Sequence, residues 1–359
     1  MTQSHGSYLE RKYFDGLNGL RAVAIIAVIW HHAERSDALA MFDRGFVGVD
    51  LFFVLSGFLI ATLLIREKAR KGKISLKDFW MRRVLRLVPV YYLLLFGLLA
   101  AYLVLKPGDP NTEKLIHGFP VYALYLSNWF HPGADNLAIT WSLATEEQFY
   151  LVWPLFEAFA TPFLTAGFWV AALIVNQLIN FGVLDPAIQS VFGADPGRYE
   201  ILDSTFTPIL LGVGLAHVLN AERGYSLAIK AAGFRYAPYI FGLLLIGLLN
   251  IPAGDISGAL RLAMHVAMAL WLASVILQPR SKLTAMLEWK PVYIIGAVSY
   301  GMYLYHMWCI HIVRAILAKI GAPQVWLQFP LALALTVAVS AASFYLYEKR
   351  FLNLRSKFR

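Results

Sequence analysis

The sequence predicts an all-α membrane protein, a polytopic helix bundle of about ten transmembrane helices. Of its 359 residues, 59% are hydrophobic and only 15% are charged, whereas soluble domains carry about 25% charged and about 45–50% apolar residues. Apolar runs recur along the chain, many near the roughly 20 residues that cross a bilayer as a helix. The 18 Tyr and 10 Trp suit aromatic belts at the two membrane interfaces.

Taken in order, the runs place spans at roughly 17–34, 46–65, 87–106, 145–161, 164–183, 205–219, 237–252, 258–278, 291–315 and 326–347. Loop charge orients them, because Lys and Arg gather on the cytoplasmic side. The stretch 66–86 alone holds nine basic residues, and further basic residues lie at 11–12, in loops 220–236 and 279–290, and in the tail 348–359. Together these account for 22 of the 31 Lys and Arg, so both termini are expected in the cytoplasm. The opposite segment 184–204 is acidic, with Asp185, Asp195, Glu200 and Asp203 against Arg198. One further apolar segment, 118–131, would reverse this parity if it crossed. It is expected to be re-entrant or interfacial, and Pro120 and Asn128 suit irregular backbone buried against protein. The expectation is a single domain over 1–359, with a short cytoplasmic N-terminus at 1–16. Met1 to Phe14 is polar and does not read as a cleaved signal peptide. The net charge of +9 is assigned to basic loops and membrane lipids, with no nucleic-acid partner. A lone cysteine, Cys309, excludes an intramolecular disulfide.

Ionisable groups inside spans are costly and point to function. The first span holds Arg21, His31 and His32. Eleven residues at about 100° each bring His32 to within roughly 20° of Arg21's direction, about 16 Å along the axis. His31 points elsewhere. A His near the outer end suits a general base, or one bonded to a backbone carbonyl. In GFVGVDLFFVLSGFLI (45–60), Asp50 lies at similar depth. It is read as the carboxylate that orients the imidazole, or alternatively as a partner of Arg44. Gly45, Gly48 and Gly57 permit close helix approach.

WSLATEEQFYLVWP (141–154) places Glu146 and Glu147 in the first turn of the fourth span, where Thr145 and Gln148 also fit a capping box. Ser142 and Tyr150 are candidate cavity-lining residues. In FWMRRVLRLVPVYY (79–92), Arg83 and Arg86 share one helix face. Paired arginines suit phosphate, or lipid headgroups. Tyr300, Tyr303 and His306 in VSYGMYLYHMWCIH (298–311) are candidate cavity residues. Arg261 and His265, four apart, are a weaker signal of the same kind. The set suits a donor with a phosphorylated nucleotide and a thin arm threading from cytoplasmic arginines to an outer His.

These five clusters, in this order, resemble the acyltransferase-3 family from Leu17 to the last spans. The resemblance implies a ten-helix domain that moves acetyl or another short acyl group to a sugar or similar hydroxyl. It assigns the family's Arg-x10-His motif to Arg21 and His32, its Arg-x-x-Arg pair to Arg83 and Arg86, its acidic motif to Glu146 and Glu147, and its Gly-x-Asp segment to Asp50. The family usually has Asp where this chain has Asn18. Some members add an SGNH-type domain that helps deliver the acyl group. This chain runs 12 residues past its last expected span, so it is expected to act alone or with a separate acyl-delivery partner.

The expectation is therefore a bacterial inner-membrane O-acyltransferase using acetyl-CoA or another acyl-CoA as donor substrate, with no permanently bound cofactor and no metal. The acceptor is expected to be a carbohydrate or lipid-linked glycan, with a small molecule such as a macrolide as an alternative. Arg21, Arg83 and Arg86 are assigned to the donor, and His32, Asp50, Glu146 and Glu147 to catalysis. A transporter of acyl groups or glycan intermediates, and a non-catalytic subunit, are the competing readings.

Overall fold

Long apolar stretches in this chain have one way to satisfy their backbone groups without water, which is the helix. The computed structural model describes residues 4–33, 40–130, 132–192, 206–253, 256–322 and 325–358, and among these the regular structure is entirely helical. Six helices carry the residues of interest: α1 (Leu17–Ala33), α2 (Gly48–Lys71), α3 (Leu76–Leu105), α4 (Thr140–Phe159), α5 (Gly258–Leu277) and α6 (Ser299–Lys319).

All ten expected spans fall on helices, with shifted ends. Among the described residues, five helical segments are long and apolar enough to cross a membrane, or six if the bent pair Glu222–Ala232 and Ala237–Leu249 counts as one. Leu17–Ala33 and Thr207–Asn220 are shorter and apolar. The third expected span extends back to Leu76, where Ser75 accepts the Asp78 N–H and closes the N-terminus. The ninth is broken at Val298 into Lys290–Ala297 and α6. Asp195, Arg198, Glu200 and Asp203 of the acidic segment lie outside the described residues, as does Arg359 of the tail.

The chain divides into two compact units. The first comprises Met1–Arg70 and Thr207–Ser340. In it α1 is held by the Lys290–Ala297 helix, where a Cβ on Gly296 would collide with the Asn18 carbonyl. The expected small-residue contacts are present as well: Gly45 and Gly48 meet the α1 backbone, and Gly57 meets the carbonyl of Ile209. Two arginines tie loops to this frame. Arg44, buried, donates to the carbonyls of Leu249, Ile251 and Ala253. Arg66 donates to the carbonyls of Tyr8 and Arg11 and to Asn220, with its guanidinium over the Tyr8 and Phe14 rings.

The second unit comprises Lys71–Phe206 and Ala341–Arg359. Here α3 packs on Pro110–Ala123, on α4 and on the C-terminal turns. Helix Pro110–Ala123 ends inside the expected re-entrant segment, and Tyr125 takes a left-handed backbone (φ 54°). The irregular stretch after it is satisfied from α4. Gln148 donates to the Tyr125 carbonyl at 3.0 Å and to Asn128 Oδ1 at 2.9 Å, and Asn128 donates back to Gln148 at 3.0 Å. Gln148 and Thr145 are therefore not a capping box. The helix begins at Thr140, and Thr145 donates to the Trp141 carbonyl within it.

Apolar side chains also cover much of the outside. Phe163 is 84% exposed and Val104 76%. In water such a surface would favour association; here it is the lipid-facing side of a multi-pass membrane bundle.

Candidate functional site

In the first unit, α1 runs from a polar network at one end to two histidines at the other. Arg21 donates to Asn18 Oδ1 at 3.1 Å, Asn18 donates to the Tyr13 hydroxyl at 3.4 Å, and Tyr13 donates to Glu288 at 3.2 Å. Glu288 also accepts the Gly16 N–H at 2.6 Å. Burial, then Glu288, hold the Tyr13 phenol protonated above its usual range. Asn18, the departure from the family's Asp, still accepts from Arg21 but adds no charge, so the guanidinium is oriented and not neutralised by it.

The two adjacent histidines differ in what they hold. His31 Nδ1 lies 2.7 Å from the Asp43 carbonyl, and its ring meets Phe46. It clips the 40–47 turn to α1. His32 Nδ1 lies 2.9 Å from the Val28 carbonyl, one turn back on its own helix. A carbonyl only accepts, so Nδ1 carries the hydrogen and Nε2 is the basic nitrogen of the neutral ring. The His32 ring is 5.0 Å, centre to centre, from the ring of His306 on α6. His306 is fully buried, and its Nδ1 lies 2.6 Å from the Tyr303 carbonyl. The Tyr303 ring is 5.5 Å from that of His306. Tyr300, on the same helix, is half-buried.

Asp50 is placed differently from the expectation. Its carboxylate, 2% exposed, lies 3.2 Å from Arg261 and 3.1 Å from His265 Nε2, both on α5. The imidazole that Asp50 holds is thus His265 and not His32, and Arg44 is not its partner. Burial explains the choice: a carboxylate at this depth needs cationic and hydrogen-bonding partners, and Arg261 and His265, one turn apart, supply both. Their four-residue spacing was the available signal, and the pairing itself crosses 211 residues of chain.

In the second unit, Arg83 and Arg86 lie on one face of α3. The Arg83 guanidinium is stacked 5.6 Å over both the Phe79 and Tyr150 rings, and its buried Nε has no hydrogen-bond partner. Among the described residues neither Arg83 nor Arg86 forms a hydrogen bond or a close ion pair. Glu147 attracts Arg83, and Glu348 attracts Arg86, from beyond ion-pair distance. Arg86 and Arg355 both act on Arg83 as like charges. Arg355 belongs to the C-terminal turn Arg355–Phe358, which Arg82 fastens to α3 through the Phe358 carbonyl. Sequence reading counted Arg355 only as flanking charge. Arg83 and Arg86, whose donors no described residue takes, fit a phosphate-bearing ligand.

Glu146 and Glu147 sit in the second turn of α4, not the first, because the helix starts at Thr140, whose hydroxyl donates to the Leu137 carbonyl. They therefore do not act as helix-capping acids. Tyr150, buried, lies under Arg83, and its carbonyl accepts the Trp80 indole N–H. Ser142, also buried, donates to the Ile139 carbonyl at 3.1 Å, which occupies its hydroxyl hydrogen within the helix start.

The family model described as "Acyltransferase domain" matches residues 14–345. A peptidoglycan O-acetyltransferase of Listeria monocytogenes is 32% identical over 379 residues, covering 94% of this chain and 56% of that protein. A Bacillus subtilis protein named "putative peptidoglycan O-acetyltransferase" is 31% identical over 357 residues, covering 94% of this chain and 55% of its own length. The chain thus spans about half the length of these curated relatives. No solved structure matches it.

Proposed function

The chain belongs to the acyltransferase-3 family, its acyltransferase domain covering residues 14–345, and on that premise we propose that it is an integral-membrane O-acyltransferase. It moves an acyl group, acetyl first among candidates, from acyl-CoA to a hydroxyl of a cell-surface glycan. Peptidoglycan, named for the relatives, heads the acceptor classes. The observation that carries this reading is the state of His32: its Nδ1 is fixed on the Val28 carbonyl at 2.9 Å, which makes Nε2 the base.

In the proposed reaction His32 Nε2 takes the proton of the acceptor hydroxyl. The oxygen attacks the thioester carbonyl, a C–O bond forms and the C–S bond breaks. The proton ends on the CoA sulfur, giving free CoA and the ester. A transient acyl-imidazole would use the same nitrogen. Arg83 and Arg86, with unused donors, hold the donor's phosphates, and Arg21 lines its path. Glu147, beside Glu146, positions the acceptor. Asp50 acts through His265 and Arg261 as a positioning residue. The charge asymmetry of the loops supports an inner-membrane location with both termini cytoplasmic.

The test uses membrane vesicles with and without the full chain, supplied with acetyl-CoA labelled in the acetyl group. Label entering the extractable glycan together with CoA release is the expected result. Label crossing the membrane with no covalent transfer would replace this reading with transport.

A further inference from the structure

The nearest ring partner of the proposed base on α6 is a second imidazole. His306 is wholly buried, its Nδ1–H donates to the Tyr303 carbonyl at 2.6 Å, and its Nε2 therefore carries a lone pair. That nitrogen has no hydrogen-bond partner. Buried acceptors in folded proteins are nearly always satisfied, so one left open beside a reacting group points to use. The His32 and His306 rings are 5.0 Å apart and tilted by 64°. At such a separation a small turn of the His32 ring, or one bridging water, links the two nitrogens.

We propose that His306 is the proton partner of His32: once His32 Nε2 has taken the acceptor's proton and the oxygen has left it for the thioester carbon, His306 Nε2 accepts the hydrogen bond of that N–H. The inference rests on the acyl-transfer reading. Two imidazoles so close, one wholly and one partly buried, repel each other when both are charged, so the pair takes up one proton. That proton comes from the acceptor O–H and leaves to the CoA sulfur when the C–S bond breaks, so both rings end neutral as they began. In a Ser-His-Asp triad the carboxylate holds the nitrogen opposite the base; on His32 the Val28 carbonyl holds that nitrogen, Asp50 takes neither place, and His306 serves the Nε2 side. Among the described residues, the other titratable or charged groups around the pair are His31, 5.0 Å from His32 ring to ring, Arg314, which donates to the His32 carbonyl at 2.8 Å, Tyr303, and Cys309 one turn along α6.

The experiment compares wild type, His306→Leu, His306→Gln and His32→Ala in vesicles, following CoA release from acetyl-CoA against pH and acetyl-CoA concentration. Leu keeps bulk and removes the acceptor. Gln restores an acceptor that cannot take the proton. Leu should lower kcat by about 10- to 100-fold, less than the full loss of a general base, with KM for acetyl-CoA unchanged. Gln should recover part of this. Without its acceptor the His32 imidazolium is less stable and its pKa falls, so the acidic limb of the profile moves to lower pH in both variants, further in Leu. Either variant, folded, with wild-type kcat and an unmoved limb would overturn the inference. If at the same time His32→Ala is inactive, the acyl-transfer reading survives without it. Full activity in His32→Ala, or no CoA release by wild type, would remove both.

Discussion

Arg44 and Arg66 lie in one unit, Arg83 and Arg86 in the other; sequence alone reads Arg44 as an alternative partner of Asp50 and places the other three in one basic stretch, 66–86. Their surroundings separate them. Arg44 reaches three backbone carbonyls, and Arg66 two carbonyls and an amide oxygen. Arg83 and Arg86 reach none among the described residues, and Arg83 is stacked between aromatic rings with a buried donor unused. A guanidinium bonded three times to its own chain holds the fold; one bonded to none of the described residues is free to meet a ligand. The same division runs through the histidines, with His31 clipped to the 40–47 turn and His306 carrying an open nitrogen.

The comparison breaks most visibly in stability. Arg44→Met strands three carbonyls and should cost about 5 kcal/mol, the low end for three hydrogen bonds to a charged group at roughly 1.5–3 kcal/mol each. Arg83→Met should cost little in the same thermal unfolding measurement in detergent. Equal losses would erase the distinction. Next comes Asp50→Asn, which leaves Arg261 and His265 without their carboxylate and should destabilise by about 3 kcal/mol, as when a buried pair loses one member. An unfolding midpoint equal to wild type would contradict the pairing.

Smaller in free energy, but specific, is Arg83→Gln or Arg86→Gln. Each should raise KM for acetyl-CoA by about 10- to 100-fold, the worth of one charge-assisted bond, while kcat changes little. A fall in kcat at constant KM would move these residues from donor binding to chemistry. The smallest effect concerns the segment that Arg66 holds. Burial pushes the Tyr8 phenol up to about 12, above its unfolded value near 10. The folded state keeps that proton longer, so its contribution is complete below pH 10 and is lost as pH rises through about 12, on the order of 2 kcal/mol. Unfolding followed from pH 9 to 12, wild type against Tyr8→Phe, should show a smaller loss in the variant, because Tyr13, raised as well, contributes to both.

Much of the fold was legible because it follows from composition. Lipid-facing helices need apolar residues at nearly every position, so the ten expected spans land on helices. The position of His32 relative to Arg21 followed from helical periodicity alone. The irregular stretch around Asn128 was also readable, from a proline and an amide in an apolar run. Pairings were not. Asp50 pairs with α5 because burial makes a carboxylate take the strongest cationic partners within reach, and reach is set by tertiary packing, which no local pattern encodes. The start of α4 at Thr140 was missed for a related reason: Gln148, read as a cap, is drawn off by the Asn128 backbone stretch. Arg355 looked like any tail cation until the C-terminal turn was seen fastened to α3.

On α1 one histidine serves structure and its neighbour chemistry, and adjacent substitutions separate the two roles. Acetyl transfer from labelled acetyl-CoA would be followed in vesicles containing equal amounts of folded wild type, His31→Ala or His32→Ala. The account predicts transfer within a few-fold of wild type for His31→Ala, and a loss of about 10²–10⁴-fold for His32→Ala, the range for a positioned general base. Equal loss in both, or transfer retained in His32→Ala, would contradict it.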